Sequence, residues 1–456
     1  MTHTVLPGQR FVECAEGIRY YAGEKQTTAN ARVEEPGDDN MGVFVIEGGR
    51  KLSGTVSISG SKNSSVALIP ACLLADGTSR LENLAVIRDV QVFATILRDL
   101  GARVDFEGHS ITIAPNGFRS WKAPYDLVKQ LRASYYLMGV LLAKFGRAEV
   151  GLPGGCDIGP RPIDQHLKGF KALGAEVRVE GGVVKLQAKS LRGTSVYLDI
   201  PSVGATINIM LAASKAEGTT IIENAAKEPH VVDLANFLNA MGAKVLGAGT
   251  DVIKVRGAKL LEGATHSVVP DDMEAATYMM AAVATRGNVV LRNVIPRHLE
   301  PVSAKLREAG AAVQEEGDGI RVVCNDRPRA VNVKTLPYPG FPTDAQQPLV
   351  AVMATAQGTS VVQESVYDNR LGYVSELVKM GAHIKVEGRT AIVEGVPCLV
   401  GAPVKANDLR AGAALVVAGL SARGRTEVHG TELIDRGYES MEEKLASLGA
   451  AIKRQD

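Results

Sequence analysis

A short pattern of hydrophobic and polar positions recurs six times along the chain. Each copy places apolar residues at helical spacing, then glycine and alanine, then alternating apolar residues, as in LRDLGARVDFEG. The helical spacing predicts an amphipathic helix, and the glycine predicts a left-handed cap at its end. The alternation of Ala102, Val104 and Phe106 predicts a strand. The glycines of the six copies are Gly101, Gly174, Gly242, Gly310, Gly381 and Gly449.

A second pattern lies between these copies. It is an apolar, alanine-rich stretch followed by a glycine-containing turn and β-branched residues, as in SKNSSVALIPACLLADGTSRLENL. A helix that is apolar around its whole circumference is a buried one. The repeat period of about 70 residues is too long for a solenoid and suits a small α/β unit. The sequence therefore predicts six α/β units, each with a buried helix, an amphipathic helix and several strands.

The alternative is six independent flavodoxin-like or ferredoxin-like domains in a row. Units of this size that bury a whole helix cannot stand alone, which argues against that alternative. The 456 residues exceed one ordinary core and predict two or three domains. Residues 1–41 are polar and show no clear period, so they predict a loosely ordered N-terminal extension.

Composition narrows the classes of function. The formal net charge of +1 gives no global electrostatic case for binding nucleic acid or a membrane surface. No stretch approaches the roughly 20 apolar residues that span a bilayer, and the N-terminus lacks the pattern of a secretion signal. The cysteines are scattered, which favours a reduced, cytoplasmic setting, and none has zinc-ligand spacing. They are Cys14, Cys72, Cys156, Cys324 and Cys398.

The first candidate site is the run of residues 60–65, between a predicted strand at 55–59 and a buried helix. Free backbone N–H groups at a helix start attract anions. Lys62 adds a mobile positive charge, and Asn63 follows it. The alternative is a solvated lysine in a turn.

The second candidate is the glycine-rich loop of residues 152–164, which surrounds Cys156. Such a loop is flexible enough to close as a lid. Arg161 follows five residues later, where it could favour the thiolate or hold an anion. The alternative is an incidental loop cysteine.

The third candidate is Asp344, in residues 339–346 at the start of a buried helix. The simple alternative is that this side chain only caps the helix. A carboxylate there could also take a proton from a hydroxyl group. Because a helix N-terminus lowers the pKa of a carboxyl group, geometry rather than basicity must carry much of that role.

Arginines form the last constellation, and they come from several different units. Surface arginine is the default interpretation for any one of them. Gathered in one place, however, they would supply several bidentate donors to anionic ligands. They are Arg132, Arg161, Arg370, Arg410 and Arg436.

Six such units with these motifs resemble the enolpyruvyl transferase family, from about Met41 to the C-terminus. The resemblance implies a two-domain inside-out α/β barrel, with three units around three buried parallel helices in each domain. It implies that residues 42–61 and 270–456 form domain one. Residues 62–269 are expected to form domain two, which carries the Cys156 loop. The substrates are expected in the cleft between the domains.

The motifs match the branch of the family that acts on UDP-N-acetylglucosamine and match the shikimate branch poorly. The resemblance implies transfer of the enolpyruvyl group of phosphoenolpyruvate to the sugar 3-hydroxyl with release of phosphate, which feeds peptidoglycan precursor synthesis. It implies no cofactor. Cys156 is expected to protonate phosphoenolpyruvate and to be alkylated by fosfomycin, and Asp344 is expected to act as the base. Lys62 is the third expected catalytic residue.

The resemblance also implies the ligand contacts. Phosphoenolpyruvate is expected at Lys62, Asn63, Arg161 and Arg436. Arg370 and Arg410 are expected nearby. Where the family often has a lysine that contacts a phosphate, this chain has Ile200. The nucleotide sugar is expected at Arg132, Arg161, Pro162, Ile163, Asp164, Gln165, Ser202, Val203, Gly204, Asp344 and Val366.

Three alternative functions stay open at this stage. One is an enolpyruvyl transferase with another acceptor, such as a shikimate phosphate, although the Cys156 loop speaks against it. Another is a non-catalytic sensor of nucleotide sugars, which would have no need to keep Cys156, Asp344, Lys62 and Arg436 together. The third is an RNA-terminal-phosphate cyclase, which would want a nucleophilic histidine, and no histidine here stands in such a motif.

Overall fold

A computed structural model describes residues 11–13, 19–21, 42–152 and 162–455. The chain divides into two compact units, Met1–Asn40 and Met41–Asp456. In the first unit, β1 (Phe11–Glu13) pairs antiparallel with β2 (Arg19–Tyr21), a strand pair that the sequence patterns do not predict. The predicted residues Cys156 and Arg161 lie outside the described residues.

The strands of the second unit are short, and most have five residues. They are β3 (Val43–Glu47), β4 (Ser53–Ser57), β5 (Ser79–Glu82), β6 (Arg103–Glu107), β7 (Ser110–Ala114), β8 (Arg147–Gly151), β9 (Glu176–Glu180), β10 (Val183–Gln187), β11 (Ser195–Tyr197), β12 (Thr219–Glu223), β13 (Lys244–Leu246), β14 (Val252–Arg256), β15 (Thr265–Ser267), β16 (Asn288–Arg292), β17 (Ala312–Glu316), β18 (Gly319–Val323), β19 (Val333–Lys334), β20 (Thr359–Gln363), β21 (His383–Glu387), β22 (Thr390–Glu394), β23 (Pro403–Lys405), β24 (Arg425–His429) and β25 (Ala451–Gln455).

These strands form six open sheets among the described residues, in the orders β15-β5-β7-β6, β8-β10-β9, β11-β12-β14-β13, β17-β18-β16-β4, β19-β20-β22-β21 and β23-β24-β3-β25. Each four-stranded sheet has one parallel pair at one edge and antiparallel pairs elsewhere. In the three-stranded sheet, a single parallel bridge between Lys122 and Glu149 takes the place of the fourth strand. The six predicted units are therefore six copies of one sheet plan.

The helices alternate between fully buried and one-sided. They are α1 (Lys62–Ala71), α2 (Arg88–Asp99), α3 (Tyr125–Gln130), α4 (Leu137–Phe145), α5 (Asp164–Ala172), α6 (Val203–Ala213), α7 (Pro229–Ala240), α8 (Asp272–Ala284), α9 (Glu300–Glu308), α10 (Gln346–Met353), α11 (Val374–Lys379), α12 (Leu409–Ser421), α13 (Thr431–Ile434) and α14 (Met441–Ser447). Almost every residue of α1, α6, α8, α10 and α12 is buried, and so is most of α4. No helix in the described ranges is long and apolar enough to cross a membrane.

Two separate hydrophobic cores organise the second unit. One is built from residues between 44 and 58 and between 273 and 452, around α8, α10 and α12. The other is built from residues between 66 and 268, around α1, α4 and α6. We call the part of the chain around the first core lobe one and the part around the second core lobe two. Because three units share each core, the alternative of six independent domains is wrong. The predicted domain boundaries stay a prediction, which the two cores support.

The glycine of each repeated signature ends a helix in the left-handed conformation. Their φ angles lie at 97°, 95°, 104°, 102°, 86° and 93°, in chain order. In the first copy the N–H of Ala102 donates to the carbonyl of Leu97 at 3.0 Å, which closes the Schellman cap. The predicted caps are confirmed. Phe106 departs from a simple inward alternation, because it is 42% exposed with the Arg98 guanidinium over its ring.

The chain crosses between the lobes at two neighbouring places, residues 59–61 and 269–271. The two segments run antiparallel, with a bridge between Gly60 and Pro270. The N–H of Ser61 donates to the carbonyl of Val269 at 2.7 Å. A methyl group on Gly60 would lie 1.6 Å from the Asn83 carbonyl oxygen, so only glycine fits there. The predicted site residue Lys62 follows directly on this crossing.

Candidate active site

Lys62 is the first residue of α1, at the junction of the lobes. The side chain of Ser61 caps the helix and accepts from the Ser64 N–H at 3.3 Å. The Lys62 N–H donates to Asp271 Oδ2 at 2.8 Å, and its Nζ lies 3.2 Å from Asp89 Oδ2. The lysine is therefore held by two carboxylates, and the alternative of a solvated turn lysine is wrong. Asn63, the next residue, is half-buried on the same turn.

Asp89 holds a second cation, Arg436, besides Lys62, so that two cations share one carboxylate; we call these three residues the cation cluster. No pattern in the sequence pointed to Asp89. It lies in the first turn of α2 and is 2% exposed. Arg436 Nε lies 2.9 Å from its Oδ1. Burial alone would raise the pKa of Asp89, but the charges of Lys62 and Arg436 outweigh it and hold that pKa below its usual range. Asp89 thus stays ionised between the two cations predicted to hold phosphoenolpyruvate.

The Asp89–Arg436 pair joins the two lobes. Asp89 belongs to the segment of lobe two, and Arg436 belongs to that of lobe one. Directly beside the pair, the N–H of Arg88 donates to the carbonyl of Asp435 at 3.0 Å. The cluster is therefore assembled where the lobes meet.

Asp344 lies in a short 3-10 turn, Thr343–Ala345, that leads into α10. Arg370 Nη2 lies 2.7 Å from its Oδ1, and Arg410 Nε lies 3.3 Å from its Oδ2. Within the described ranges, no side chain caps the turn or α10. The capping alternative is therefore wrong, because the carboxylate faces two arginines instead of the helix.

Burial and charge act in opposite directions on Asp344. Burial would raise its pKa, but Arg370 and Arg410, with a further contribution from Lys62, hold the pKa of Asp344 well below its usual range. The side chain of Asp344 is 28% exposed, whereas those of the two arginines are almost completely buried. The ionised carboxylate of Asp344 is therefore partly exposed to solvent, while the two arginines that hold it are buried.

The Arg410 guanidinium has a buried nitrogen for which the described residues provide no acceptor. Its guanidinium lies over the Tyr438 ring, 5.3 Å from the centroid. Its Nη1 is buried and makes no hydrogen bond within the described part of the chain. An unsatisfied buried donor on a charged group is costly. An acceptor on a bound ligand would relieve that cost.

The loop that carries Val366 is fixed by a buried glutamate that the sequence analysis missed. Glu364 is 1% exposed. Its Oε1 accepts from the Val366 N–H at 2.8 Å, and its Oε2 accepts from the Thr343 hydroxyl at 2.8 Å. The same hydroxyl contacts Arg370 Nη1 at 3.2 Å. Val366 and the turn of Asp344 are therefore held by one residue.

A second group of predicted residues gathers on lobe two. Pro162 is exposed and Ile163 is half-buried, directly before α5, which begins at Asp164. The Gln165 side chain accepts from the Asp199 N–H at 2.9 Å and donates to Asp199 Oδ2 at 2.9 Å. This ties the start of α5 to the segment that leads to Ser202. Ile200, in that segment, is 57% exposed.

The start of α6 packs against a buried histidine, also not singled out from the sequence. Ser202 caps the helix, and Val203 and Gly204 form its first turn. A methyl group on Gly204 would lie 2.8 Å from His166 Cε1. Burial lowers the pKa of His166 to about 3, while Asp164 raises it and Arg132 lowers it by lesser amounts. His166 is therefore neutral, and Arg132 and Asp164 lie close enough to influence it.

The hydrogen-bond network assigns the tautomer of this histidine. Asn208 Oδ1 accepts from the Gly139 N–H at 3.0 Å, so its Nδ2 is the donor that faces His166 Nδ1 at 2.9 Å. Nδ1 is then an acceptor, and Nε2 carries the proton. The ring thus offers a neutral N–H donor beside Gly204.

The structure brings the predicted residues into two groups. The first gathers Lys62 and Arg436 at the Asp89 carboxylate. It also gathers Arg370 and Arg410 at the Asp344 carboxylate, whose pKa Lys62 helps to lower. The second gathers the residues around α5 and α6. Among the described residues, no group of His, Cys, Asp and Glu could hold a metal ion.

Residues 46–445 match the EPSP synthase (3-phosphoshikimate 1-carboxyvinyltransferase) family. UDP-N-acetylglucosamine 1-carboxyvinyltransferase 3 of Symbiobacterium thermophilum is 58% identical, over 91% of this chain and 98% of that protein. UDP-N-acetylglucosamine 1-carboxyvinyltransferase 2 of Bacillus subtilis is 54% identical, over 90% of this chain and 96% of that protein.

The chain belongs to the UDP-N-acetylglucosamine 1-carboxyvinyltransferases. The predicted family and the prediction of a transferase are therefore confirmed. Within the carboxyvinyltransferase family, the residues named above as catalytic or ligand-binding stay predictions for this chain.

Solved structures confirm the fold. The enolpyruvyl transferase NikO from Streptomyces tendae is 27% identical and superposes with a TM-score of 0.82, over 91% of this chain and 99% of that chain. EPSP synthase from Acinetobacter baumannii is 22% identical with a TM-score of 0.71, over 91% of this chain and 100% of that chain. The second likeness is one of fold alone.

Proposed function

We propose that this carboxyvinyltransferase transfers the enolpyruvyl group of phosphoenolpyruvate to the 3-hydroxyl of UDP-N-acetylglucosamine and releases phosphate. The observation that carries the proposal is Asp344, an ionised carboxylate partly open to solvent, held 2.7 Å from Arg370 and 3.3 Å from Arg410. A positioned carboxylate beside cations can accept a hydroxyl proton while charge develops on an anionic partner. The reaction would take place in the cytoplasm and supply peptidoglycan precursors.

The cations of the junction would bind phosphoenolpyruvate. Lys62 and Arg436 approach the same carboxylate from two lobes, so both point to one place. Asn63 and Arg161 would complete the contacts. A phosphate and a carboxylate on one small molecule match this density of positive charge.

The nucleotide sugar would extend from Asp344 and Val366 to the group on lobe two. Asp344 would receive the 3-hydroxyl. Arg132, Arg161, the run 162–165 and the start of α6 at Ser202, Val203 and Gly204 would hold the nucleotide. Backbone N–H groups at the start of a helix of this length suit a diphosphate.

The proposed reaction is an addition followed by an elimination. Cys156 would give a proton to carbon 3 of phosphoenolpyruvate while the sugar oxygen bonds to carbon 2 and its proton passes to Asp344. The resulting tetrahedral ketal would then lose phosphate from carbon 2 while the Cys156 thiolate takes a proton from carbon 3, which restores the vinyl group. Closure of the Cys156 loop would exclude water.

The acceptor is tested by phosphate release from phosphoenolpyruvate with a panel of acceptors. We expect release with UDP-N-acetylglucosamine and none with shikimate 3-phosphate or UDP alone. Release with shikimate 3-phosphate and none with the nucleotide sugar would overturn the proposed acceptor.

The role of the loop cysteine is tested by labelling with fosfomycin. Cys156→Ala should abolish covalent labelling seen by mass spectrometry. Cys398→Ala is the matched control, because Cys398 is a partly exposed free cysteine in lobe one and should leave labelling unchanged. Labelling that persists in Cys156→Ala would contradict the assignment.

A further inference from the structure

Asp271 holds the first turns of two buried helices that belong to different lobes. Its Oδ1 accepts from the Glu274 N–H at 2.7 Å and thereby caps α8 in lobe one. Its Oδ2 accepts from the Lys62 N–H at 2.8 Å, at the start of α1 in lobe two. Asp271 is 3% exposed. One buried carboxylate therefore connects the starts of both helices.

The second of these bonds is not needed to cap α1. Ser61 already supplies the capping oxygen of that helix. The Lys62 N–H is one of the donors that a helix start leaves without a partner inside the helix. Asp271 satisfies it from the second crossing segment, beside the Gly60–Pro270 bridge. The bond thus fixes the backbone of Lys62 to a residue that is anchored in lobe one.

Lobe one also carries Arg436, the other cation of the cluster. Lys62 Nζ lies 3.2 Å from Asp89, and Arg436 Nε lies 2.9 Å from the same carboxylate. The two cations come from different lobes, so their spacing depends on what joins the lobes near Lys62. Misplacing one of two convergent charges by about 1 Å can cost as much as 10²-fold in rate.

We propose that Asp271 is a positioning residue that sets Lys62 in register with Arg436 across the junction of the lobes. The importance of that register for phosphoenolpyruvate rests on the proposed function. Asp271 is buried and would act through the backbone of Lys62.

The variant Asp271→Asn separates the two bonds. Asparagine is as good an N-cap as aspartate, so its amide oxygen can still accept from Glu274 and keep α8 capped. Its NH2 group then faces the Lys62 N–H, and a donor opposes a donor. We expect kcat/KM for phosphoenolpyruvate to fall about tenfold, with KM for UDP-N-acetylglucosamine within about twofold of the parent.

Asp233→Asn is the matched control. Asp233 is also a buried carboxylate that accepts from the crossing segment, from the Val269 N–H at 3.3 Å, but it does not reach Lys62. We expect its kcat/KM for phosphoenolpyruvate to stay within about twofold of the parent. Equal losses in Asp271→Asn and Asp233→Asn would overturn the proposal.

A double-mutant cycle tests whether Asp271 acts through Lys62. In a Lys62→Ala background, Asp271→Asn should change phosphoenolpyruvate binding, measured by calorimetry, by less than about twofold. A tenfold effect in both backgrounds would overturn the proposal, because it would be independent of the lysine side chain.

Hydrogen exchange gives a readout that does not need activity. Asp271→Asn should accelerate amide exchange in a peptide covering residues 61–68, and Asp233→Asn should not. Unchanged exchange in Asp271→Asn would overturn the proposal. A parent protein that releases no phosphate would contradict the proposed function alone, since exchange at α1 would still report the bond to Lys62.

Discussion

Asp344 and Asp89 are both carboxylates held by two cations, yet they are built from different parts of the chain. Asp344, Arg370 and Arg410 all belong to lobe one. Asp89 belongs to lobe two, and it reaches across the junction to Arg436. The first group exists whenever lobe one is folded, whereas the second exists only while the lobes meet. One half of the site is therefore preorganised, and the other half depends on lobe contact.

The largest expected effect breaks the preorganised group. Asp344→Ala should lower kcat by about 10³-fold, because it removes the proposed proton acceptor. Asp344→Asn keeps the shape without the charge and should lose a similar factor. The measurement is steady-state phosphate release at saturating substrates. A kcat near that of the parent in Asp344→Asn would contradict the role of the carboxylate.

A smaller effect is expected from the group that joins the lobes. Asp89→Asn should lower kcat/KM for phosphoenolpyruvate by about 10²-fold, because two partly buried cations lose their shared anion. It should also increase the radius of gyration in small-angle X-ray scattering, as lobe contact weakens. Asp344→Asn is the control for that increase and should show none. Equal scattering from both variants would remove the distinction between the two groups.

His166 sharpens the comparison, because burial determines the direction of its pKa shift, whereas neighbouring charges determine it for Asp344 and Asp89. Burial lowers the pKa of His166 to about 3, and the Asp164 carboxylate raises that pKa by less than burial lowers it. Near pH 5 the unfolded chain binds a proton at this histidine and the native protein does not, so the free energy of unfolding falls as the pH drops from 7. The loss is about 2 kcal/mol at pH 5.

Urea denaturation at pH 7 and pH 5 measures this loss. His166→Gln should show a smaller loss of stability between the two values than the parent does. His383→Gln, in an exposed strand position, is the control and should keep the loss of the parent. A His166→Gln variant that loses as much stability between pH 7 and pH 5 as the parent does would contradict the neutral, buried assignment.

The smallest effect is expected at position 200, where this chain has isoleucine instead of a positively charged residue. Ile200 is exposed in the segment that leads to Ser202, where the resemblance to the family leads us to expect a lysine. Ile200→Lys should lower KM for UDP-N-acetylglucosamine by about threefold, since an exposed charge pair contributes little. The effect should weaken as salt is added. Ile200→Gln is the uncharged control, and an equal change in that variant would contradict a charge effect.

The repeated patterns predicted the fold because they are local. The six caps at glycine and the six buried helices each follow from a few neighbouring residues. A repeat missed by the sequence analysis is just as local. In three units, the residue directly after a strand is an asparagine that has a positive φ. Its side-chain amide donates to a carbonyl at the end of the neighbouring parallel strand. These residues are Asn83, Asn224 and Asn293. The triplets ENL, ENA and RNV could have revealed it.

Two of the three other units break this asparagine pattern near the site. The residue after β8 is Leu152, which opens the glycine-rich loop, and the residue after β20 is Glu364, which fixes Val366. Interruptions of a repeat were therefore a usable signal for function. Asp89 offered no such signal. Its role depends on α2 meeting residues 435 and 436, and no pattern along the chain reports a contact between segments so far apart.

The pairing of β3 with β25 has a consequence for synthesis on the ribosome. Val43 lies opposite Gln455, so β3, the first strand of lobe one, cannot complete its pairing until β25 has been synthesised. Lobe two, built between residues 66 and 268, has all of its core residues long before then. A nascent chain stalled before Ala451 should therefore carry a protease-resistant lobe two beside a β3 with a bare edge. During that interval the exposed edge is the place where a folding helper, or a wrong strand, would attach.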